Sequence, residues 1–557
     1  MMEDIPFFPE YAPTLPNVIA DCVARYGDKE FLVDGSLRMT YREVERASAR
    51  IAKGLLAAGV GKATRVAIVL PNTPDWVLAW WAAARIGAFT IPLSTLFQAK
   101  ELSWALNEAD IDTLLIVDHY LGHDYLERLE RAVPELATQS SPQLFLPSHP
   151  YLRRIVVWET ASANTGTKNQ RTWALRGPSA LRDLADATPA IDDAYLARIE
   201  ANVTPADWLI GICTSGSTSH PKIVVHTHGS LIRITHAYRV YGVGMKPGER
   251  NYCGMPFFWL GGLNTNLIAA LYEGACMVFA ATPRTEDVLD AIVKENVSRV
   301  SMWPTQFKPL IELAQSRGID VEPLLVAYKP RDDTGKVIPQ QYRIASLLGM
   351  TESFGPHGVG RWEETLPADK GGSFGRALRG IDRKIVDPAT GATLPPGRDG
   401  ELYIRGFSMM DGYYKRERGD VFKSDGWFAT GDTCRIDEDG YLFFAGRQSE
   451  MIKTGGANVS PQEVEAVIAA FDGVAEAIVV GLPDAERGEC VVAVIVPRAG
   501  EQVDTVALGK KLRGEISSYK VPKHFLIRKF EQIPRTNAGK AQKNELKKML
   551  MSEGKPD

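Results

Sequence analysis

The N-terminal third of the chain alternates between two hydrophobic periods, and that alternation restricts the fold more than any other feature. Residues 41–58 carry apolar side chains at helical spacing, and Thr40 with Glu43 three positions on gives the pattern of a capping box. Residues 65–70 are a short apolar run stopped by Pro71-Asn72, which predicts a buried strand. Residues 75–86 then predict a helix and residues 89–93 another strand. Similar runs stand at 113–117 and 277–280. Strand–helix–strand alternation predicts parallel α/β layers joined by crossover helices.

With 557 residues the chain is too long for one hydrophobic core. Residues from about 136 to 185 are rich in Ser, Pro, Thr and Asn, with one clear strand at 154–158, and most of them are expected to form an irregular surface excursion. After Gly380, short runs at 381–386, 400–405 and 441–444 between Gly and Pro turns predict a smaller β-rich subdomain. Ser460-Pro461-Gln462-Glu463 is a strong helix start, with Ser as N-cap and Pro at the first position. Strand-like runs follow at 477–480 and 491–496, so the C-terminal part is expected to be a compact α+β unit.

Composition excludes several classes. A formal net charge of −4 does not point to nucleic acid as a partner. The longest membrane-like stretch, 77–84, is cut by Arg85, too short to span a bilayer and suited to a buried helix. Met1-Met2-Glu3-Asp4 is unlike a secretion signal. Six scattered cysteines with no CxxC pair read as reduced thiols, so a cytoplasmic location is expected.

Five segments carry candidate chemistry. Thr214-Ser215-Gly216-Ser217-Thr218-Ser219-His220-Pro221-Lys222 follows an apolar strand at 208–212. Small hydroxyl residues and a glycine let such a loop wrap phosphate oxygens, and the lysine adds charge. Pro221 stands where a Walker A loop needs glycine, so it is not that motif. In Gly349-Met350-Thr351-Glu352 a hydroxyl beside a carboxylate could hold a phosphate and its Mg²⁺. Asp432, in Gly426-Trp427-Phe428-Ala429-Thr430-Gly431-Asp432, could grip ribose hydroxyls. The fourth segment runs Gly446-Arg447-Gln448-Ser449-Glu450-Met451-Ile452-Lys453-Thr454-Gly455-Gly456. The fifth is Pro534-Arg535-Thr536-Asn537-Ala538-Gly539-Lys540. Taken singly, each has a bland reading: a surface loop, a helix start, a self-capping turn or a solvated lysine.

The order and spacing of all five resemble the adenylate-forming superfamily of acyl-CoA synthetases, carrier-protein adenylation domains and beetle luciferases. The resemblance runs from about Thr40 to about Lys543. It takes in Gly375-Arg376, Gly400-Glu401-Leu402, Gly412-Tyr413 and Tyr519-Lys520-Val521-Pro522. It implies an α/β fold: a large N-terminal domain of two parallel α/β subdomains plus a small β-barrel, and a smaller mobile α+β domain. The expected limits are 1–446, with the β-rich part at about 381–446, a hinge at 447–449, and 450–557.

The resemblance also implies roles. Thr214 to Thr218, with Lys222, would cradle the β- and γ-phosphates of ATP, with Gly349 and Met350 beside the nucleotide. Thr351 would touch the α-phosphate and Glu352 hold Mg²⁺. Asp432 and Arg447 would bind the ribose, and Lys540 would reach the α-phosphate and the substrate carboxylate. Lys453, Gly455 and Gly456 would serve the thioester step with coenzyme A. Trp259, Gly261, Gly262 and Trp303 would line the acyl pocket. Three departures stand out. Ser449 replaces the usual hinge Asp or Lys. Pro256-Phe257-Phe258-Trp259 replaces Pro-x-x-His. Residues 327–333 lack the usual glycine pair, and Leu348 replaces an aromatic residue.

The reaction expected is activation of a carboxylic acid, a small-molecule substrate, by ATP with Mg²⁺ to acyl-AMP, then transfer to coenzyme A. The chain ends soon after Lys540 with no attached carrier domain, which favours free coenzyme A. A stand-alone enzyme loading a carrier protein, and a nucleotide- or acyl-binding protein that has lost catalysis, are the alternatives. The identity of the acid and the oligomeric state are not legible in the sequence.

Overall fold

The computed structural model describes residues 6–159, 171–214, 221–240, 245–325, 348–359, 367–447, 451–498, 500–535 and 541–553. Two mostly parallel sheets dominate the N-terminal part. The larger has the strand order Gly412–Tyr413, Lys222–Thr227, Trp208–Thr214, Phe89–Pro92, Arg65–Val69, Thr113–Val117, Arg154–Trp158 and Leu175–Arg176. From Trp208–Thr214 onward its neighbours are parallel, and the first two strands add on antiparallel. The second sheet runs Arg299–Ser301, Arg250–Cys253, Cys276–Phe279, Glu30–Asp34 and Leu37–Thr40, parallel except for its last pair.

The helices follow from local chemistry. Tyr41–Ala57 opens with its capping box intact: Thr40 N–H donates to Glu43 Oε2 at 2.8 Å, and Glu43 N–H donates to Thr40 Oγ1 at 3.2 Å. Pro74–Arg85 is buried at every position but Asp75, as its nearly unbroken apolar sequence requires. Arg85 closes it inside the protein, paired with Glu45 at 2.7 Å and with Glu200. The expected excursion at 136–185 is corrected in part. It ends in an edge strand, Leu175–Arg176, and a helix, Gly177–Asp186. That helix packs against Tyr41–Ala57 so closely that a Cβ on Gly54 would overlap the Leu181 backbone. Only Leu181 and Leu184 face inward from it, too few for a readable period.

Ile381–Val386, Gly400–Gly406, Phe428–Ile436 and Leu442–Arg447 form a four-stranded antiparallel sheet. The C-terminal sheet contains Ala457–Val459, Ile452–Thr454, Gly488–Pro497 and Val474–Asp484, with His524–Ile527 parallel to Gly488–Pro497. Its two apolar cores draw only on residues between Ile452 and Leu550, so this part is a separate domain. The helix Pro461–Ala469 starts at Ser460 as expected, but Ser460 makes no capping bond to it. No helix among the described residues is long and apolar enough to cross a membrane.

Candidate active site

The strand Trp208–Thr214 is followed by antiparallel Lys222–Thr227, with Thr214 opposite Lys222. The phosphate-loop residues Ser215, Gly216, Ser217 and Thr218 between them lie outside the described residues. Lys222 Nζ stands 4.8 Å from the centre of the Tyr413 ring. Tyr413 sits on the next strand, and its hydroxyl donates to Glu352 Oε1 at 2.8 Å. One phenol therefore joins two of the predicted segments, its π face toward the ammonium and its O–H toward the carboxylate. Burial and the facing carboxylate raise its pKa.

Thr351–Ser353 is a single 3₁₀ turn, ended by Phe354 in the left-handed region at φ 52°. Buried polar side chains hold this irregular backbone. His226 Nε2 donates to the Thr351 carbonyl at 2.7 Å, and Asn264 Nδ2 donates to the Phe354 carbonyl at 2.7 Å. The Tyr238 hydroxyl donates to the Pro356 carbonyl at 2.8 Å. Burial pushes the His226 imidazole down to about 4, so it is neutral near pH 7.

Gly349, Met350, Thr351 and Glu352 line a cavity of about 840 Å³. Thr214, Lys222, Trp259, Gly261, Trp303 and Gly456 line it too. Asp432 and Arg447 face each other on adjacent strands. Asp432 is buried and its neighbours Thr430 and Gly431, rather than Asp432 itself, line the cavity. The Arg447 side chain, Ser449 and Lys540 lie outside the described residues.

Ile452–Thr454 and Ala457–Val459 form a hairpin with Gly455-Gly456 as its two-residue turn. Both glycines have positive φ, 56° and 87°, the signature of a type I′ turn. The turn abuts the N-terminal domain: a Cβ on Gly456 would overlap the Trp303 ring. Trp259 meets Trp303 edge to face at 5.7 Å and Tyr519 of the C-terminal domain at 5.9 Å. Lys453 is exposed with its ammonium 5.5 Å from the Phe444 ring centre, and neither it nor Gly455 lines the cavity. Gly262 does not line it either. A Cβ there would overlap the Met255 and Pro256 carbonyls, so this glycine serves close packing.

Sequence reasoning gave no role to Glu401, Tyr413, Tyr519 or Lys520, all of which line the cavity. Their signal was present, since each lies in a short motif quoted above. His226 and Asn264 had no signal: each stands among other polar residues, His226 before Thr227-His228 and Asn264 before Thr265-Asn266, and nothing in the sequence singles it out.

The AMP-binding enzyme family model matches residues 19–414, and the model of its C-terminal domain matches residues 463–540. The chain belongs to this family, in its acyl-CoA synthetase branch. A feruloyl-CoA synthase of Amycolatopsis sp is 29% identical over 521 residues, 92% of this chain and 94% of its own length. An o-succinylbenzoate CoA synthetase from Bacillus subtilis, a double mutant bound with its product analogue, covers 96% of this chain and 98% of its own at 23% identity, with a TM-score of 0.72. The same enzyme in complex with its acyl-adenylate intermediate has the same identity and coverage and a TM-score of 0.58.

Proposed function

We propose that this protein activates a carboxylic acid with ATP, releasing pyrophosphate, and passes the acyl group from acyl-AMP to coenzyme A. The observation that carries this reading is that one cavity is lined both by the Lys222–Tyr413–Glu352 group and by the glycine turn of the C-terminal hairpin. The first group suits phosphate oxygens. The second brings a backbone turn without side chains from another domain to the same cavity, where it leaves room for an acceptor beside the acyl group.

In the first step a carboxylate oxygen attacks the α-phosphorus in line and pyrophosphate leaves. Both reactants are anions, so their repulsion must be offset by fixed charge. Lys222 and the donors of the 214–218 loop would take the β- and γ-phosphates. Lys540 would supply the positive charge where the new bond forms. Thr351 would donate its hydroxyl to the α-phosphate from a turn that His226 and Asn264 keep rigid. Asp432 and Arg447, on adjacent strands, would hold the ribose. Among the described residues no three His, Cys, Asp or Glu side chains gather as a metal cage. Glu352 alone fits Mg²⁺ held mainly by substrate phosphates, where the cation would neutralise their charge. In the second step the thiol of coenzyme A loses its proton, its sulfur attacks the acyl carbon, and AMP leaves. Trp259, Gly261 and Trp303 would form the apolar wall around the acyl group.

The test is a panel of aliphatic and aromatic acids incubated with ATP, Mg²⁺ and coenzyme A. AMP, pyrophosphate and an acyl-CoA of the expected mass should appear together. ADP as the nucleotide product would overturn the reading. Acyl transfer only to a pantetheinylated carrier protein would replace coenzyme A as the acceptor.

A further inference from the structure

We infer that Glu101 is a positioning residue for the thioester step, clamping the C-terminal domain so that its hairpin turn stays seated against Trp303. This inference rests on the two-step reading above. Glu101 lies in the first turn of the helix Ala99–Glu108 in the N-terminal domain, where the helix dipole favours a carboxylate. One of its oxygens accepts from Gln98 N–H at 2.8 Å, which fixes the side chain. The same carboxylate accepts from Lys520 Nζ at 2.7 Å and from Ser517 Oγ at 3.0 Å, both in the C-terminal domain. Lys520 also pairs with Glu463 of its own domain at 2.6 Å. All three charges are nearly withdrawn from water, with side chains 3%, 10% and 11% exposed for Lys520, Glu101 and Glu463.

The placement of these contacts gives them their consequence. Ser517 and Lys520 flank Tyr519, whose ring meets Trp259 across the cavity. Lys520 itself lines the cavity, while Glu101 does not. Holding Ser517 and Lys520 therefore fixes the segment that closes on Trp259, on the same domain as the Gly455-Gly456 turn. A second bridge, Lys100 to Glu515 at 3.0 Å, joins the same two segments and is more exposed.

The clamp is built to open. When the domains separate, Lys520 keeps Glu463, so no unpaired charge is left buried, and Glu101 regains water at the end of its helix. On closing, Glu101 shares the ammonium with Glu463 and gains the Ser517 hydroxyl. Burial opposes the charged ammonium, yet Tyr519 and the two carboxylates hold its pKa above the ordinary lysine value. Removing one partner from a buried ionic group is costly, so the loss should fall on the closed arrangement in which Glu101 is engaged.

The experiment uses the full chain with Glu101→Gln, which keeps the shape and an oxygen for Gln98 N–H. Acid-dependent ATP–pyrophosphate exchange should stay within about twofold of wild type, while single-turnover transfer from acyl-AMP to coenzyme A falls by about tenfold or more. Ser517→Ala should give a smaller fall of the same kind. Förster transfer between fluorophores at the exposed positions 182 and 510 should report a smaller docked population in Glu101→Gln. Unchanged transfer, or an equal fall in both half-reactions, overturns the inference. If the wild type makes acyl-AMP but no thioester with any thiol acceptor, the two-step reading fails by itself. The fluorophore pair then decides the clamp: an unchanged docked population in Glu101→Gln overturns it, and a reduced one supports it.

Discussion

Tyr413 carries two different loads at once, and its hydroxyl can be removed without its ring. Tyr413→Phe keeps the π face beside Lys222 and deletes the bond to Glu352. A hydrogen bond to a charged group is worth about 1.5–3 kcal/mol, so ATP–pyrophosphate exchange should fall roughly tenfold to a hundredfold. If Glu352 holds Mg²⁺ as proposed, the concentration of Mg²⁺ giving half-maximal exchange should rise, because the carboxylate loses the bond that steadies it. Wild-type exchange in this variant would separate Tyr413 from the nucleotide site. His226 sets a second expectation, in pH. Its folded pKa of about 4 lies below the unfolded value of about 6.5. The unfolded chain therefore binds more protons in that interval, and stability is full above about pH 6.5 and declines as pH falls toward 4. Buried His228, pushed down to about 3, acts in the same direction. Each such imidazole costs about 1.4 kcal/mol per pH unit within its window. Thermal unfolding at several pH values should show Tm dropping between pH 6.5 and 5, with a shallower slope in His226→Asn. A Tm constant over that range would mean these histidines are charged when folded.

The hairpin Ile452–Val459 shows what a short element can impose. At Gly456 an added methyl meets the Trp303 ring and a φ of 87° that disfavours any side chain. Gly456→Ala should slow transfer to coenzyme A more than adenylate formation, by about tenfold or more if strain of 1–2 kcal/mol adds to the overlap. Single-turnover assays of the two steps measure this, and an equal effect on both would detach the turn from the thioester step. Elements of this kind also mark what the sequence revealed. The Thr40–Glu43 box and five strands of the large sheet, Arg65–Val69, Phe89–Pro92, Thr113–Val117, Arg154–Trp158 and Trp208–Thr214, were readable because each depends on neighbours in sequence. The start at Ser460 was readable, but the roles within it were not. Glu463 turns from a capping position to Lys520, fifty-seven residues away. Helix Gly177–Asp186 was hidden because two leucines cannot announce a period, although they suffice to pack on Gly54. At the site, Lys222, Thr351 and Glu352 stood in motifs, whereas His226, Asn264 and Glu101 work through partners that only the fold brings near.

At the scale of the molecule, the question is how two chemical steps share one cavity. Arg535 and Ala541, the described residues on either side of Lys540, are bridged to each other and do not line the cavity in this arrangement. Arg535 is paired with Glu476 and Lys543 with Glu465, both within the C-terminal domain. If Lys540 serves the first step alone, its loss should separate the two half-reactions. Lys540→Ala should lose about 10²–10³ in rate from acid plus ATP and lose far less from synthetic acyl-adenylate plus coenzyme A. A paired single-turnover measurement on one preparation tests this, and a similar loss in both halves would rule out alternation of the domain. The rings between the domains give such a movement a natural readout. Trp259 and Trp303 belong to one domain and Tyr519 to the other, and Trp259 meets each of the other two edge to face. Trp76, Trp80 and Trp81 are fully buried in the large core and supply a steady background. Departure of Tyr519, and of the Gly456 turn with it, would change the asymmetric surroundings of Trp259 and Trp303. The enzyme thus carries its own chromophores at the seam between its domains, and near-ultraviolet dichroism or stopped-flow emission would time a swing of the domain during turnover with no label attached.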